Sequence, residues 1–286
     1  MLHRYILAIL AALSGCAYPP ALPPKTVSFT IGNPYEAGGE WQYPRQFNHY
    51  DTTGLATIIT DNTARYTADN ETYSPHALSA ASPVLPLPSI LRITNLVNGE
   101  SLTVRVNDRG PYVPGRVIAV TPRVARLLNF PTGGVVEVAV HMEAARTAAL
   151  DAALGAGPQL TAAPVAGVTS QSLGPPGSGP GAVQSMGSGP SASTTAPAVQ
   201  LSGTVRSGVP APGPLFVQIP GFGRESDAYE MMQRLGGIPA RVVPVTTQDR
   251  TLYAVNAGPY HSVADADAAL QQILSLGITD PAIIVR

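Results

Sequence analysis

From Ala152 to Val205 the chain carries no charged residue, and Gly, Ser, Pro and Ala dominate. Such a stretch holds too few large apolar groups to offset the entropy of ordering it, which predicts a disordered spacer. A single hydrophobic core cannot be built across it. The 286 residues must therefore divide into bodies on either side, as the length itself suggests for about two domains. The spacer is assigned to 144–213, and its first residues, "AARTAALDAAL", also fit a short helix. The high Gly and Pro counts, 28 and 29, concentrate here and so describe the linker, not the domains.

The N-terminus reads as a processing signal. "MLHRYILAILAALSGCA" begins with His3 and Arg4, and its apolar run from Tyr5 to Leu13 is about half of what a bilayer span requires. That defines residues 1–15 as an export signal. Leu13-Ser14-Gly15-Cys16 resembles a bacterial lipobox, in which small residues admit the peptidase and the Cys thiol is acylated. Cys16 is the one Cys of the chain, so intramolecular disulfides and Cys-based metal sites are excluded. Multiple acyl chains make a stable anchor. Ala17 follows, a pattern that resembles lipoproteins sent to the outer membrane, so the expectation is a lipid-anchored periplasmic protein starting at Cys16. Residues 16–27 are a Pro-rich, semi-stiff tether.

Residues 28–143 carry short apolar runs broken by Gly, Pro, Asn and Asp: "GLATIITDN", "ILRITNL", "LTVRVND", "GRVIAVT" and "GVVEVAVHM". Alternation with β-branched residues predicts strands and a mainly β, barrel-like domain. Asn98-Gly99 predicts a two-residue hairpin turn, because both central positions of a type I′ turn need positive φ. One helix is expected over Pro122 to Leu128, with Thr121 as its N-cap.

Residues 214–286 read strand, helix, strand, strand, helix, strand. The elements are "LFVQI", "ESDAYEMMQRLGG", "ARVVPVT", "TLYAVNA", "SVADADAALQQILSLG" and "AIIVR", with a turn at Gln248-Asp249. The first helix has acids in its first turn and the second has Ser262 as N-cap. This βαββαβ order predicts a ferredoxin-like α+β domain. Its helix-free sheet face is a binding platform on which Phe216, Gln218 and Asn256 point outward. The aromatic pair and basic surface of an RNA-binding sheet are missing, and a net charge of −1 leaves no footprint for nucleic acid.

"TVRVNDRGPYVPGR" (103–116) places Asp108 and Arg109 at a strand end in a chain that is only 12% charged. Taken alone, Asp-Arg-Gly-Pro is most often a strand-ending turn with a local ion pair, and a lone Glu71 in a polar loop is most often solvated surface. His49, His76 and His141 have no carboxylate or His at metal spacing, so no metal and no cofactor is expected. Spacer serines without a His or Asp context exclude a hydrolase triad.

Two resemblances change the weighting. The run from Leu215 to Tyr260 resembles the SPOR domain, with its "VQ-x-x-x-F" start and "Y-x-V-x-x-GP[FY]" centre. That family binds peptide-free peptidoglycan glycan strands, which are abundant at division septa; Ala254 stands where members often carry Arg. Residues 54–140 resemble the double-psi β-barrel of the rare lipoprotein A family through Gly54-Leu55-Ala56, "TADNE" (67–71), "ALSAA" (77–81), "LPLP" (85–88), "RITNL" (92–96) and "VRVNDRGP" (104–111). The resemblance implies a lytic transglycosylase that cleaves MurNAc–GlcNAc bonds and leaves a 1,6-anhydro end. Glu71 occupies the family's catalytic Glu position and Asp108 is the partner carboxylate, with Arg109, Ser82 and His76 in support. Ser82 stands where the family usually has His, Thr57-Ile58-Ile59-Thr60 replaces "SWYG", Ala119 replaces Asp, and Asn70 replaces a Gly. Two readings follow: a septal transglycosylase held to the outer membrane and working with divisome proteins, or a non-catalytic wall-binding lipoprotein with a degenerate site. A purely structural tether between outer membrane and wall would need neither carboxylate.

Overall fold

The computed structural model describes residues 22–61, 63–156, 201–246 and 251–286. Cys16, the turn at Gln248-Asp249 and most of the spacer lie outside the described residues. A small hairpin of β1 (Tyr35–Ala37) and β2 (Glu40–Gln42) comes first. Six strands then close into a barrel: β3 (Asp51–Ile58), β4 (Ser79–Ala81), β5 (Ser89–Asn95), β6 (Glu100–Asp108), β7 (Arg116–Val120) and β8 (Val136–Met142). Their spatial order is β4-β7-β3-β8-β5-β6, and β4 pairs again with β6 to complete the ring. The β3–β7 and β4–β6 pairs are parallel, the rest antiparallel. This is the expected double-psi barrel.

The core follows the period of two. Along β8, Val136, Val138, Val140 and Met142 point in, while Glu137, Ala139 and His141 alternate outward. From β6, Leu102, Val104 and Val106 join the same cluster. Helix α1 (Pro122–Leu127) starts where expected, with the Thr121 hydroxyl accepting from Val124 N. The hairpin between β5 and β6 differs from expectation. It is a four-residue loop, 96–99, in which Gly99 alone has positive φ (78°). The Asn side chains make the turn: Asn95 Oδ1 accepts from Val97 N and Asn98 Oδ1 from Glu100 N.

Both ends of the assigned spacer add to the barrel. Helix α2 (Ala144–Ala153) buries Thr147 and Leu150, and Ile90 N donates to Thr147 Oγ1 at 3.0 Å. Strand β9 (Arg206–Ser207) pairs with the start of β6. The helix is Ala-rich and lacks a broad apolar stripe, so one Leu and one Thr dock it where composition showed only a linker.

The second domain contains β10 (Leu215–Phe222), α3 (Glu225–Arg234), β11 (Ala240–Thr246), β12 (Thr251–Tyr260), α4 (Val263–Ser275) and β13 (Ala282–Val285). The sheet order is β11-β12-β10-β13, antiparallel throughout, with Leu215, Val217, Ile219, Val255 and Ile283 packed among the helices. The Ser262 hydroxyl caps α4 by accepting from Asp265 N.

The two domains touch. Leu55 points out of the barrel, is fully buried, and belongs to the core cluster of the second domain. Two glycines permit the approach. A Cβ at Gly54 would lie 2.8 Å from Ile283 O, and one at Gly115 would lie 2.7 Å from Leu270 Cδ2. Thr53 Oγ1 donates to Val285 O at 2.7 Å and accepts from Val285 N at 3.2 Å, so it satisfies the free edge of β13. Arg116 grips Asp267 with both terminal nitrogens, at 2.6 and 2.8 Å.

Leu55→Asp should open this interface, because an unpaired carboxylate at a dry contact costs several kcal/mol. Small-angle scattering should report a larger radius of gyration with both domains still folded; an unchanged radius would mean that Leu55 is not a docking residue.

Candidate active site

Glu71 sits in a tight loop between β3 and β4. Thr67 N donates to Glu71 O, Asn70 N donates back to Thr67 O, and Asn70 takes the left-handed conformation at φ 72°. Asn adopts that region more easily than other side-chain-bearing residues, so it serves where the family has Gly. The loop is held from inside by Asp69, whose Oδ1 accepts from Thr67 Oγ1 (2.7 Å) and Glu71 N (3.1 Å).

Strand β6 brings the partners. Alternation puts Arg105 and Asn107 on the face opposite Val104 and Val106, and both reach Glu71. Arg105 Nη2 lies 2.6 Å from Glu71 Oε1, and Asn107 Nδ2 donates to Oε2 at 2.6 Å. One position further, Asp108 is buried and accepts three hydrogen bonds: Arg65 Nη1 (2.5 Å), Ala68 N (3.1 Å) and Arg109 N (2.9 Å). Glu71 and Asp108 thus share one site, joined by Asn107 and the 65–71 loop. Asp69 is 0% exposed, and burial first, then the Glu71 charge, push its carboxyl up to about 6.

Arg109 makes no ion pair with Asp108. Its guanidinium donates to three carbonyls: Ser82 O (3.3 Å), Leu85 O (2.5 Å) and Ile31 O (2.5 Å). It therefore ties the 82–85 turn and the N-terminal segment to the strand end. Gly110 follows with φ 126°, where an L side chain is strained.

Two supporting assignments change. Ser82 is buried, and its hydroxyl accepts from Val84 N and Leu85 N, capping a turn instead of facing Glu71. The His76 ring is exposed and has no hydrogen bond among the described residues; only its backbone is engaged, with Ser74 and Arg123. The absence of a carboxylate near the other histidines is also corrected. The fold brings His49 and His141 onto Asp51, at 2.6 and 2.5 Å. No group of three or more such side chains able to hold a metal forms among the described residues.

Several residues were not singled out from the sequence. Arg65 lies 4.6 Å over the Tyr73 ring and pairs with Asp108. Tyr112, 60% exposed, packs edge-on to Tyr35 at 6.5 Å. Burial, then the Asp108 charge, raise the Tyr112 phenol. An aromatic surface is thus present without "SWYG". Arg105 and Asn107 were legible by period two from Asn107-Asp108; Arg65 carried no local signal.

On the second domain, Phe216, Gln218 and Asn256 do lie opposite the helices, outside that core cluster. The face is not open there, however. Phe216 is 3% and Asn256 0% exposed. Arg241, Asn256, Gln218 and Ala282 form a cross-strand row, in which Gln218 Nε2 donates to Asn256 Oδ1 at 2.9 Å, and Arg241 lies 5.1 Å over the Phe216 ring. These neighbours cover one another, and Arg241, across from Asn256, puts a guanidinium on this face. A cleft of about 400 Å³ separates Gln218 and Ile284 from Thr53 and His141 of the barrel.

The closed barrel and the following sheet define a double-psi barrel joined to a SPOR domain. The lytic transglycolase family matches residues 51–140 and the SPOR domain family residues 211–284. Curated relatives are called endolytic peptidoglycan transglycosylase RlpA. That of Pseudomonas aeruginosa is 28% identical over 279 residues, covering 93% of this chain and 80% of its own. That of Escherichia coli K12 is 29% identical over 306, covering 87% and 82%. That of Yersinia pestis is 35% identical over 149, covering 44% and 41%. Over most of its length the chain is thus similar to rare lipoprotein A proteins.

Arg109→Ala would strand three carbonyls and should destabilise the barrel by about 3 kcal/mol or more. Ser82→Ala removes a turn cap and should cost about 1 kcal/mol, with kcat unchanged. Thermal unfolding together with an activity assay checks both; a catalytic defect in a stable Ser82→Ala protein would restore a role for Ser82 in the chemistry.

Proposed function

We propose that the barrel is a lytic transglycosylase acting on MurNAc–GlcNAc bonds of peptide-free septal glycan strands. The carrying observation is that the 65–71 loop and the end of β6 deliver Glu71 and Asp108 to one site. Glu71 protonates the leaving glycosidic oxygen as the bond to C1 breaks. The C6 hydroxyl of the same sugar attacks C1 and returns its proton to Glu71, so the enzyme ends unchanged and a 1,6-anhydro ring is formed. Asp108, engaged by three N–H donors, supplies fixed negative charge near the oxocarbenium-like centre. No water needs to be placed, which suits a single acid/base.

One observation favours the other reading, a glycan-binding barrel without catalysis: both Glu71 oxygens are already engaged by donors. Incubating the soluble protein with peptide-free strands decides between them. Mass spectrometry should find 1,6-anhydro ends, and their complete absence over several pH values would leave the binder. Glu71→Gln and Asp108→Asn preserve shape and should each lower product formation about 100-fold or more. A variant that cuts like the parent loses its assigned role.

Targeting belongs to the same proposal. Cys16 carries the lipid anchor, the SPOR sheet engages septal glycan where its helix-free face lines the cleft at Gln218 and Ile284, and divisome proteins are the neighbours expected there. Tyr66 Oη donates to Pro23 O at 2.6 Å, so the tether reaches the barrel beside the candidate site. The seven residue-to-residue steps from Cys16 to Pro23 can span at most about 25 Å, which would hold the site close to the membrane. Cys16→Ser should release the protein from the outer-membrane fraction, and unchanged fractionation would remove the anchor.

A further inference from the structure

Two buried polar atoms of the site have no hydrogen-bond partner: Asp69 Oδ2 and Arg105 Nε. Their groups are neighbours. Arg105 Nη2 lies 2.6 Å from Glu71 Oε1 and 3.7 Å from Asp69 Oδ2. A guanidinium is a planar fork of five donors, and a shift of about 1 Å would carry Nη2 into hydrogen-bond range of the orphaned carboxylate oxygen. We propose that Arg105 has two seats, on Glu71 and on Asp69, and that Asp69 is a positioning residue that draws Arg105 away so that Glu71 can face the glycosidic oxygen.

This rests on the transglycosylase reading. A proton on Glu71 Oε1 has no room to point at substrate while an Arg105 N–H is aimed at the same oxygen. With Arg105 on Asp69, Oε1 is free, and Asn107 still orients the group through Oε2. Asp69 is ready for the exchange. Its Oδ1 is engaged by Thr67 and Glu71 N, its own N–H is spent on Asn107 O, and Oδ2 faces Arg105 alone. The other charges near the loop are Glu71 itself and the Arg65–Asp108 pair, which is closed on itself through Arg65 Nη1.

The sign of the pH effect follows. The Asp69 carboxyl is raised to about 6 by burial and by Glu71. Below that pH it is neutral, the second seat loses its charge, and Arg105 stays on Glu71. Turnover should therefore fall as pH drops through about 6.

Asp69→Asn tests this, because it keeps the Oδ1 acceptor and the shape while removing the charge. We expect kcat on peptide-free strands to fall about tenfold to 100-fold with KM near that of the parent, and the step near pH 6 to vanish. A folded Asp69→Asn protein with the parent's kcat and pH profile overturns the proposal. A second readout does not need turnover. The side-chain ¹⁵N resonance of Arg105 in the full parent chain, assigned by its loss in Arg105→Lys, should titrate with a midpoint near 6. A flat resonance overturns the two-seat arrangement even if Asp69→Asn fails to fold. Absence of anhydro product from the parent, with the Arg105 resonance still following Asp69, would instead sink the transglycosylase reading and leave the Asp69–Arg105 coupling standing.

Discussion

The Asp108 carboxylate receives three donors from two segments far apart in sequence, and the site depends on that junction. Arg65 and Ala68 come from the loop between β3 and β4, and Arg109 N from the strand end itself. Charge-assisted hydrogen bonds of this kind are stronger than neutral ones, and a buried carboxylate left short of them is costly. The loop that carries Glu71 is therefore clamped to β6 at the point where Asn107 and Arg105 emerge. Without the clamp, Glu71 would be a residue on a long polar connection, free to sample solvent.

A chain with 12% charged residues gathers six of them here: Arg65, Asp69, Glu71, Arg105, Asp108 and Arg109. Their roles separate by what they touch. Arg109 faces carbonyls and is structural. Arg65 faces Asp108 and sets the loop. Arg105 faces two carboxylates at unequal distance, and of these six residues it and Asp69 keep buried polar atoms without hydrogen-bond partners. A network whose members are all satisfied is rigid, whereas this one has slack in one corner, next to the group assigned to move a proton.

The docked arrangement places the SPOR sheet against the barrel. Leu55 would be an apolar residue in water on an isolated barrel; under Leu270 and Ile283 it becomes core. Thr53 does for the edge of β13 what another strand would do, by engaging its N–H and C=O. The helix-free face meanwhile turns toward the cleft at His141 and Thr53, so a glycan bound there would run beside the barrel wall. The proposed binding and cutting surfaces would thus be carried on one body, with the Arg116–Asp267 pair joining the two domains.

Much of the fold was written locally. Period-two alternation placed the strands and their inward residues, because a pleated strand facing a core needs nothing else to set its pattern. Thr121 and Ser262 announced their helices, and Asn70 the left-handed turn before Glu71, because caps and turns are made by side chains within a few residues. Glu71, Asp108 and Arg109 were legible through the family's motifs. What the tertiary structure alone decided is who meets whom at long range. Arg65 is 43 residues from Asp108, and Arg109 is 78 from Ile31. Ser82 looked like a substitute for a supporting His until its hydroxyl proved to be capping a turn. Phe216 and Asn256 lay on the face that alternation assigned, yet cross-strand neighbours buried them. Alternation determines which way a side chain points; only the paired strands and packed loops determine what it finds there, since those contacts are chosen by closure of the whole barrel and not by any stretch of the chain.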